Sequence, residues 1–232
     1  MQFSIIVPAL NEVNCIGQCL APLQSLRAEA EIILADGGSV DDTLSVAGPM
    51  VDKIITTRKG RARQMNAGAA AACGKILIFL HADTRLPEHA LDLIRQGIQE
   101  GATWGRFNIR LSGGRPMLGV IAAMMNWRSR YTGIATGDQV MFIVRKSFIA
   151  AGGYPEIALM EDIALSKMLK TIQRPWCIPE AVTSSGRRWQ NNGLLKTILL
   201  MWWLRLGYFF GVAPETLNYL YTRGVFWKRL SA

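Results

Sequence analysis

An α/β fold is the architecture that this sequence predicts, with a mostly parallel sheet flanked by helices and an apolar helical extension at the C-terminal end. Three observations predict it. Short apolar runs alternate with helical stretches across residues 3–100, the pattern of βαβ units. The runs are nearly all apolar, as strands covered by helices on both faces must be. Three of them end in polar groups: Ser4-Ile5-Ile6-Val7 enters Pro8-Ala9-Leu10-Asn11-Glu12, Glu31-Ile32-Ile33-Leu34-Ala35 enters Asp36-Gly37-Gly38-Ser39, and Ile76 to Leu80 enters His81-Ala82-Asp83. Polar tips on parallel strands imply one site along the carboxyl edge of the sheet, where open α/β sheets bind ligands.

Taken in order, the sequence predicts strand 3–7, a helix over 12–26 and strand 31–35. A short helix over 41–48 precedes strand 53–57, and a helix over 61–72 precedes strand 75–80. A further helix covers 87–100. In the second half, Trp104 to Leu111 alternates apolar and polar residues and predicts a strand at a sheet edge. Helix 117–131, strand 139–145 and a helix from Glu161 follow, the last with Leu165, Met168, Leu169 and Ile172 on one stripe. Gly113-Gly114-Arg115-Pro116 predicts a loop. Domain organisation follows as 1–190 for the α/β domain and 191–232 for the apolar extension.

The extension holds the most apolar stretch, 194–212. It admits three readings: a core or dimer-interface helix, a helix lying on a membrane surface, and a span. Lys196 and Arg205 argue against a span, since a central Arg costs about 2.5–3.5 kcal/mol on insertion scales. Trp202, Trp203, Tyr208 and Phe209 suit an interfacial helix.

The 232 residues suffice to bury a core, and half of them are apolar. A formal charge of +9 predicts an anionic partner such as a nucleotide, a phosphate or an acidic membrane surface. Nucleic acid is not expected, because the cations are scattered and no nucleic-acid motif accompanies them. Cys15, Cys19, Cys73 and Cys177 lack paired metal spacing, and two histidines make a structural zinc site an unlikely use of them. Met1-Gln2-Phe3 runs directly into a strand without a basic leader. The expected location is the cytoplasm, with peripheral attachment to the inner face of the membrane if 194–212 lies on lipid.

Four segments carry candidate chemistry. In Asp36 to Thr43, glycines let backbone approach a ligand, and Asp36 can accept hydrogen bonds from a base or ribose. Asp41 or Asp42 suits a helix N-cap. Arg58, Lys59, Arg61 and Arg63 crowd the start of a helix, the unfavourable end for cations. A bound diphosphate would explain them, and Arg61 is the residue of choice; a solvated basic loop is the alternative. His81 and Asp83 stand at a strand end on the same side. They read either as ligands of Mg²⁺ or Mn²⁺ shared with substrate phosphates, or as a helix cap with a bystander imidazole. Glu161-Asp162 opens a helix after Gly152-Gly153-Tyr154, and reads as dipole partner or general base. Arg187-Arg188-Trp189 could clamp a departing diphosphate and stack on a sugar or base.

In this order the motifs resemble the family 2 glycosyltransferases, which have the GT-A fold. Ser4 to Glu12 is similar to that family's opening strand, and Asp36-Gly37-Gly38-Ser39 with Asp41 to its Asp-Asp-Gly-Ser-x-Asp motif. Phe79 to Asp83 resembles the strand with the Asp-x-Asp metal motif, and Gly152-Gly153-Tyr154 with Glu161-Asp162 the acceptor-side segment. Arg63-Gln64-Met65-Asn66-Ala67-Gly68 resembles a small bacterial subgroup sometimes labelled for arsenosugar biosynthesis. The resemblance covers 2–190. It implies that Pro8, Asn11, Glu12, Asp36 and Arg61 hold a nucleotide, a uridine. It further implies that Asp83 takes a metal bridging the diphosphate, and that Asp162 is the base with Glu161 beside it. Two departures stand out: His81 replaces the first Asp of Asp-x-Asp, and Arg187-Arg188-Trp189 is only a fragment of the Gln-x-x-Arg-Trp motif, so polymerisation is not implied.

The expected activity is therefore metal-dependent, inverting transfer of a sugar from a UDP-linked donor to an acceptor hydroxyl, on a small molecule or a lipid. Alternatives are a sugar nucleotidyltransferase on a related sheet and a nucleotide-binding or membrane-docked protein without catalysis.

Overall fold

A computed structural model describes residues 2–187 and 193–223. Among these, eight strands form one sheet: β1 (Phe3–Ala9), β2 (Ala30–Asp36), β3 (Lys53–Thr56), β4 (Ile76–Phe79), β5 (Thr84–Arg85), β6 (Trp104–Ser112), β7 (Met141–Val144) and β8 (Trp176–Ser185). Their order is β3-β2-β1-β4-β7-β6-β8-β5. The first four strands are mutually parallel and β6 pairs with β8 in parallel, while β7 and β5 run antiparallel to their neighbours. The helices are α1 (Ile16–Leu20), α2 (Thr43–Ala47), α3 (Arg61–Ala71), α4 (Ala90–Gln99), α5 (Pro116–Thr132), α6 (Arg145–Ala150), α7 (Glu161–Ile172), α8 (Leu194–Phe209) and α9 (Pro214–Arg223).

The sheet separates two apolar layers, which explains why its strands read as unbroken apolar runs. Phe3, Ile5 and Val7 of β1 face Ile16, Leu20 and Ile94. Ile6, one residue out of phase, faces Met65, Phe79 and Leu165 on the other side. Helix α3 lies against β1 because Gly68 has no side chain: a Cβ there would come within 2.4 Å of Ile6 Cγ2. A third cluster of Met160, Ile163, Leu200, Leu204 and Leu217 fastens α8 and α9 to α7. One face of the 194–212 stretch is therefore core, while Leu199, Trp202, Trp203 and Phe209 stay exposed. Among the described residues no helix is long and apolar enough to cross a membrane.

Three further expectations change. The helix over 12–26 is shorter, because α1 tightens at Pro22 into a 3₁₀ stretch, Ala21–Leu26. β6 is an inner strand rather than an edge, because β8 covers it on the far side. Its alternation arises from α5 packing one face, with the Asn126 amide bonded to both backbone groups of Ile109 (2.8 and 3.0 Å). β8 has no counterpart in the sequence reading. Pro179 interrupts it, and the β6–β8 register shifts between Phe107 and Asn108, where Asn108 donates to the Pro179 carbonyl (2.9 Å).

At the end of the sheet remote from the polar tips, the buried carboxylate of Glu31 ties three strands and the turn before β4 together. It accepts from Ser4 Oγ (2.6 Å), Lys53 Nζ (3.0 Å), the Gly74 N–H (3.2 Å) and the Cys73 N–H. Burial pushes its pKa up, but these donors outweigh burial and hold it at about 2, against an ordinary 4.5. The folded-state pKa lies below the unfolded one, so the stabilisation is complete above the unfolded value and is lost as pH falls toward the folded one. It amounts to about 3 kcal/mol at neutral pH, at 1.36 kcal/mol per unit. Glu31→Gln should therefore lower Tm at pH 7 and flatten its fall from pH 4.5 toward pH 2. An unaltered acid limb in differential scanning calorimetry would refute this.

At the opposite end, Gln64 of α3 donates from Nε2 to the carbonyls of Ala9 (2.6 Å) and Ala35 (2.9 Å). Gln64→Leu removes a buried donor from two carbonyls, and urea unfolding should show a loss of about 1–3 kcal/mol. A loss below 0.5 kcal/mol, on the order of an ordinary surface substitution, would show that the clamp carries no load.

Candidate active site

The strand tips converge as two adjoining groups. The first joins the loops after β1 and β2. Asn11 takes a left-handed conformation (φ 55°) that asparagine tolerates better than most residues. Its N–H donates to Ser39 Oγ (2.9 Å), and its Oδ1 accepts from the Val40 N–H (2.9 Å). The Glu12 N–H donates to Thr43 Oγ1 (2.8 Å). Asp36 is buried and accepts from Gly38 N–H, Ser39 N–H and Ser39 Oγ at 2.6–3.2 Å, so its carboxylate shapes the glycine loop. Asp41 accepts from Thr43 Oγ1 and the Val13 N–H, and the Thr43 bond leads in lowering its pKa. Neither Asp41 nor Asp42 caps α2 conventionally, as Asp42 stands at the N-cap without a side-chain bond. Pro8 lies within β1, one residue before its last.

The second group lines a cavity of about 880 Å³ at the carboxyl ends of β4, β6 and β8, walled by α5 and α8. Arg61, His81, Asp83 and Arg187 all reach it, from three separate segments. β4 stops at Phe79, so His81 and Asp83 lie in the following turn rather than on the strand, yet both still face the cavity. Asp83 does not cap α4, whose N-cap is His89. Arg187 binds the two groups together. Its pKa is raised, first by contact with Cys15 and then by the carboxylates of Asp83 and Glu12.

His81 is held on two edges. Its Nδ1 lies 3.2 Å from Asp138 Oδ1, and a Cβ on Gly137 would come within 2.4 Å of both Cε1 and Nε2. The imidazole therefore props the turn 136–139. That turn also rests on Asp162, whose Oδ2 accepts from the Gly137 N–H (2.9 Å). Burial and the neighbouring Asp162 charge push Glu161 up, against the pull of Arg61. Arg61 is an exposed residue; partial desolvation of its guanidinium lowers its pKa, but the charges of Glu161, Asp138 and Asp162 outweigh this and raise it. Arg61 thus belongs with the Glu161–Asp162 side of the site, beyond the nucleotide-side grouping that the resemblance implies. Of the other cations of its cluster, Arg63 pairs with Glu156 (2.9 Å), while Arg58 and Lys59 are exposed.

Arg188 and Trp189 lie outside the described residues. Among the described residues no group of three or more His, Cys, Asp or Glu side chains could enclose a metal ion. With His81 engaged, the donor set is the Asp83 carboxylate. One carboxylate fits Mg²⁺ or Mn²⁺ when substrate phosphates supply further oxygens, and does not form an all-protein cage.

The sequence reading did not name Asp138, Arg128 or Arg205 as site residues, and all three line the cavity. Asp138 had a usable signal, a Gly-Asp turn directly before an apolar strand. Arg205 had another, a cation inside an apolar stretch. Arg128 is one of several basic residues in its helix and had none.

Comparison with known proteins agrees with this arrangement. A PGL/p-HBAD biosynthesis glycosyltransferase of Mycobacterium bovis is 36 % identical over 94 residues, 37 % of each chain. A 4,4'-diaponeurosporenoate glycosyltransferase of Staphylococcus haemolyticus is 33 % identical over 102 residues, 40 % of this chain and 27 % of that one. The chain thus spans well under half the length of these curated relatives. Among solved structures, S. aureus TarS 1-349 in complex with UDP-GlcNAc superposes with a TM-score of 0.68 at 18 % identity, over 81 % of this chain and 59 % of that one. The mannosyltransferase PcManGT from Pyrobaculum calidifontis, with GDP-Man and Mn²⁺, gives 0.60 at 21 % identity, over 79 % and 56 %. Both share the mostly parallel, helix-flanked GT-A sheet. The family model described as glycosyl transferase family 2 matches residues 4–151, and the chain, with its strand tips gathered on one sheet edge, belongs to that family.

Proposed function

We propose that the protein transfers a sugar from a UDP-linked donor to an acceptor hydroxyl, with inversion at the anomeric carbon. One observation carries this reading: Arg61, His81, Asp83 and Arg187, drawn from three segments, line a single cavity beside Asp162. The UDP-GlcNAc and GDP-Man complexes of the structural neighbours support a nucleotide-sugar donor.

The nucleotide lies over the laced loops of Pro8–Glu12 and Asp36–Ser39, with the diphosphate directed to Asp83 and Arg187. Asp162 takes the proton of the acceptor hydroxyl as its oxygen forms the new bond to the anomeric carbon. The bond from that carbon to the diphosphate breaks, and the electron pair leaves on the phosphate oxygen. Arg187 keeps its charge beside that oxygen and offsets the developing negative charge. Arg61 faces the carboxylates and keeps the Glu161–Asp162 pair electrostatically tolerable. Asp83 would hold a divalent cation, which supplies charge neutralisation of the diphosphate when bound.

Asp162→Asn retains an oxygen for the Gly137 N–H but cannot take a proton. Transfer should fall by about 10²–10⁴-fold, with UDP affinity by titration calorimetry unchanged. Parallel loss of binding and rate would assign Asp162 to structure. Asp83→Ala should abolish the gain in UDP affinity that Mn²⁺ gives the unaltered protein. Persistence of that gain would place the cation elsewhere.

A further inference from the structure

The transfer step leaves two half-buried cations unused. Arg128 of α5 and Arg205 of α8 both line the cavity. Among the described residues Arg128 Nε and Nη2 and Arg205 Nε have no hydrogen-bond partner, although each atom is buried from solvent. Burial, and then the Arg205 charge, hold Arg128 down to about 10. Burial also lowers Arg205, against the pull of Asp162 and Asp138. Two guanidinium groups that line one cavity with idle donors are costly on their own. An anion between them satisfies the donors and relieves the repulsion, and planar donor forks match carboxylate and phosphate oxygens.

The cavity around this pair is otherwise apolar. Met124 and Trp127 on α5 face Leu199, Trp202 and Leu206 on α8 across its outer walls, and these side chains are half or more exposed. Exposed apolar surface of this extent marks a binding face. The arginines sit within electrostatic reach of Asp162, so a molecule anchored on them presents its neighbouring atoms to the candidate base.

We infer that the acceptor is amphipathic: an acidic group, phosphate or carboxylate, binds Arg128 and Arg205, and an apolar chain lies between α5 and α8. This rests on the cavity being the transfer site. It adds the chemical class of the acceptor and a pair of residues that select it.

The test uses the full chain without donor. Octyl phosphate, 1-octanol and inorganic phosphate are titrated separately by calorimetry. Octyl phosphate should bind at least tenfold more tightly than either of the others. Equal affinity for octanol would remove the arginines from recognition, and equal affinity for inorganic phosphate would remove the apolar walls; either result overturns the inference. R128Q/R205Q should weaken octyl phosphate at least tenfold, and unchanged affinity overturns the proposal. Should that variant melt early, Leu199→Glu, at an exposed wall position, places a charge against the alkyl chain. It should weaken octyl phosphate tenfold and leave inorganic phosphate as before, and an unchanged octyl phosphate affinity refutes the inference. UDP titrated on the same samples reports the donor reading, so the two can fail independently.

Discussion

A single buried amide fixes the geometry on which the site depends. Parallel strands β1 and β2 pair as far as Ala9 and Asp36, and beyond that point the chain must turn out into loops. Gln64 Nε2 bonds the carbonyls of Ala9 and Ala35 just where the ladder ends. Gly37 is without a side chain at the contact; a Cβ would lie 3.0 Å from that nitrogen. Arg61 is three residues earlier and Gly68 four later, so all three share one helical face. The close approach at Gly68 sets the depth of α3, Gln64 sets its register against the strand ends, and Arg61 is thereby delivered to the cavity. Asn66 extends the clamp: its amide exchanges two hydrogen bonds with the backbone of Tyr154, at 2.8 and 2.9 Å. The Gly152-Gly153-Tyr154 turn that leads toward Glu161 is thus fixed by the same helix.

Strain gathers around the same place. Among the described residues the non-glycine positions with positive φ are Asn11, Val140 and Met160. Asn11 joins the loops after β1 and β2, Val140 follows the Asp138 turn, and Met160 immediately precedes Glu161. Each costs on the order of 1–3 kcal/mol and persists only where surrounding contacts over-determine it. For Val140 those contacts are a buried side chain and an N–H bonded to the Gly137 carbonyl (3.1 Å). For Met160 they are the apolar cluster that seats α8 and α9. The C-terminal helices therefore do more than wall the cavity, since they also hold the helix start that presents Asp162.

What could be read from the sequence follows from which forces act locally. The βα alternation and the polar tips were legible because strand burial and strand ends write themselves into consecutive residues. The gathering of Arg61, His81 and Asp83 was legible because sheet topology brings strand ends to one edge. β8 was not, because Pro179 and a register shift break its pattern, and its pairing with β6 is supplied by residues distant in sequence. The partner of His81 was not legible either. Whether that imidazole meets a metal or a carboxylate depends on the turn 136–139, whose Asp138 is 57 residues away. The roles of Gln64 and Asn66 escaped for the same reason, since a polar residue on a helix shows its partner only once the helix is docked.

Charge balance links the two halves of the site. Arg61 stands among Glu161, Asp162 and Asp138, so its charge is already answered before any ligand arrives. Arg187 similarly faces Asp83 and Glu12. A diphosphate entering this setting adds negative charge beside two carboxylates, with Arg187 to meet it. Coulomb repulsion at such separations is worth kilocalories in a partly desolvated cleft. A divalent cation held by Asp83 would reverse the sign of that interaction, since one carboxylate can hold it where phosphates supply further oxygens. Arg128 and Arg205 also feel Asp162, and Arg205 feels Asp138, so the carboxylates that answer Arg61 act on these two cations as well. What sets their end of the cavity apart is donors without partners beside apolar walls, and a molecule that satisfies both carries an acidic head joined to an apolar chain.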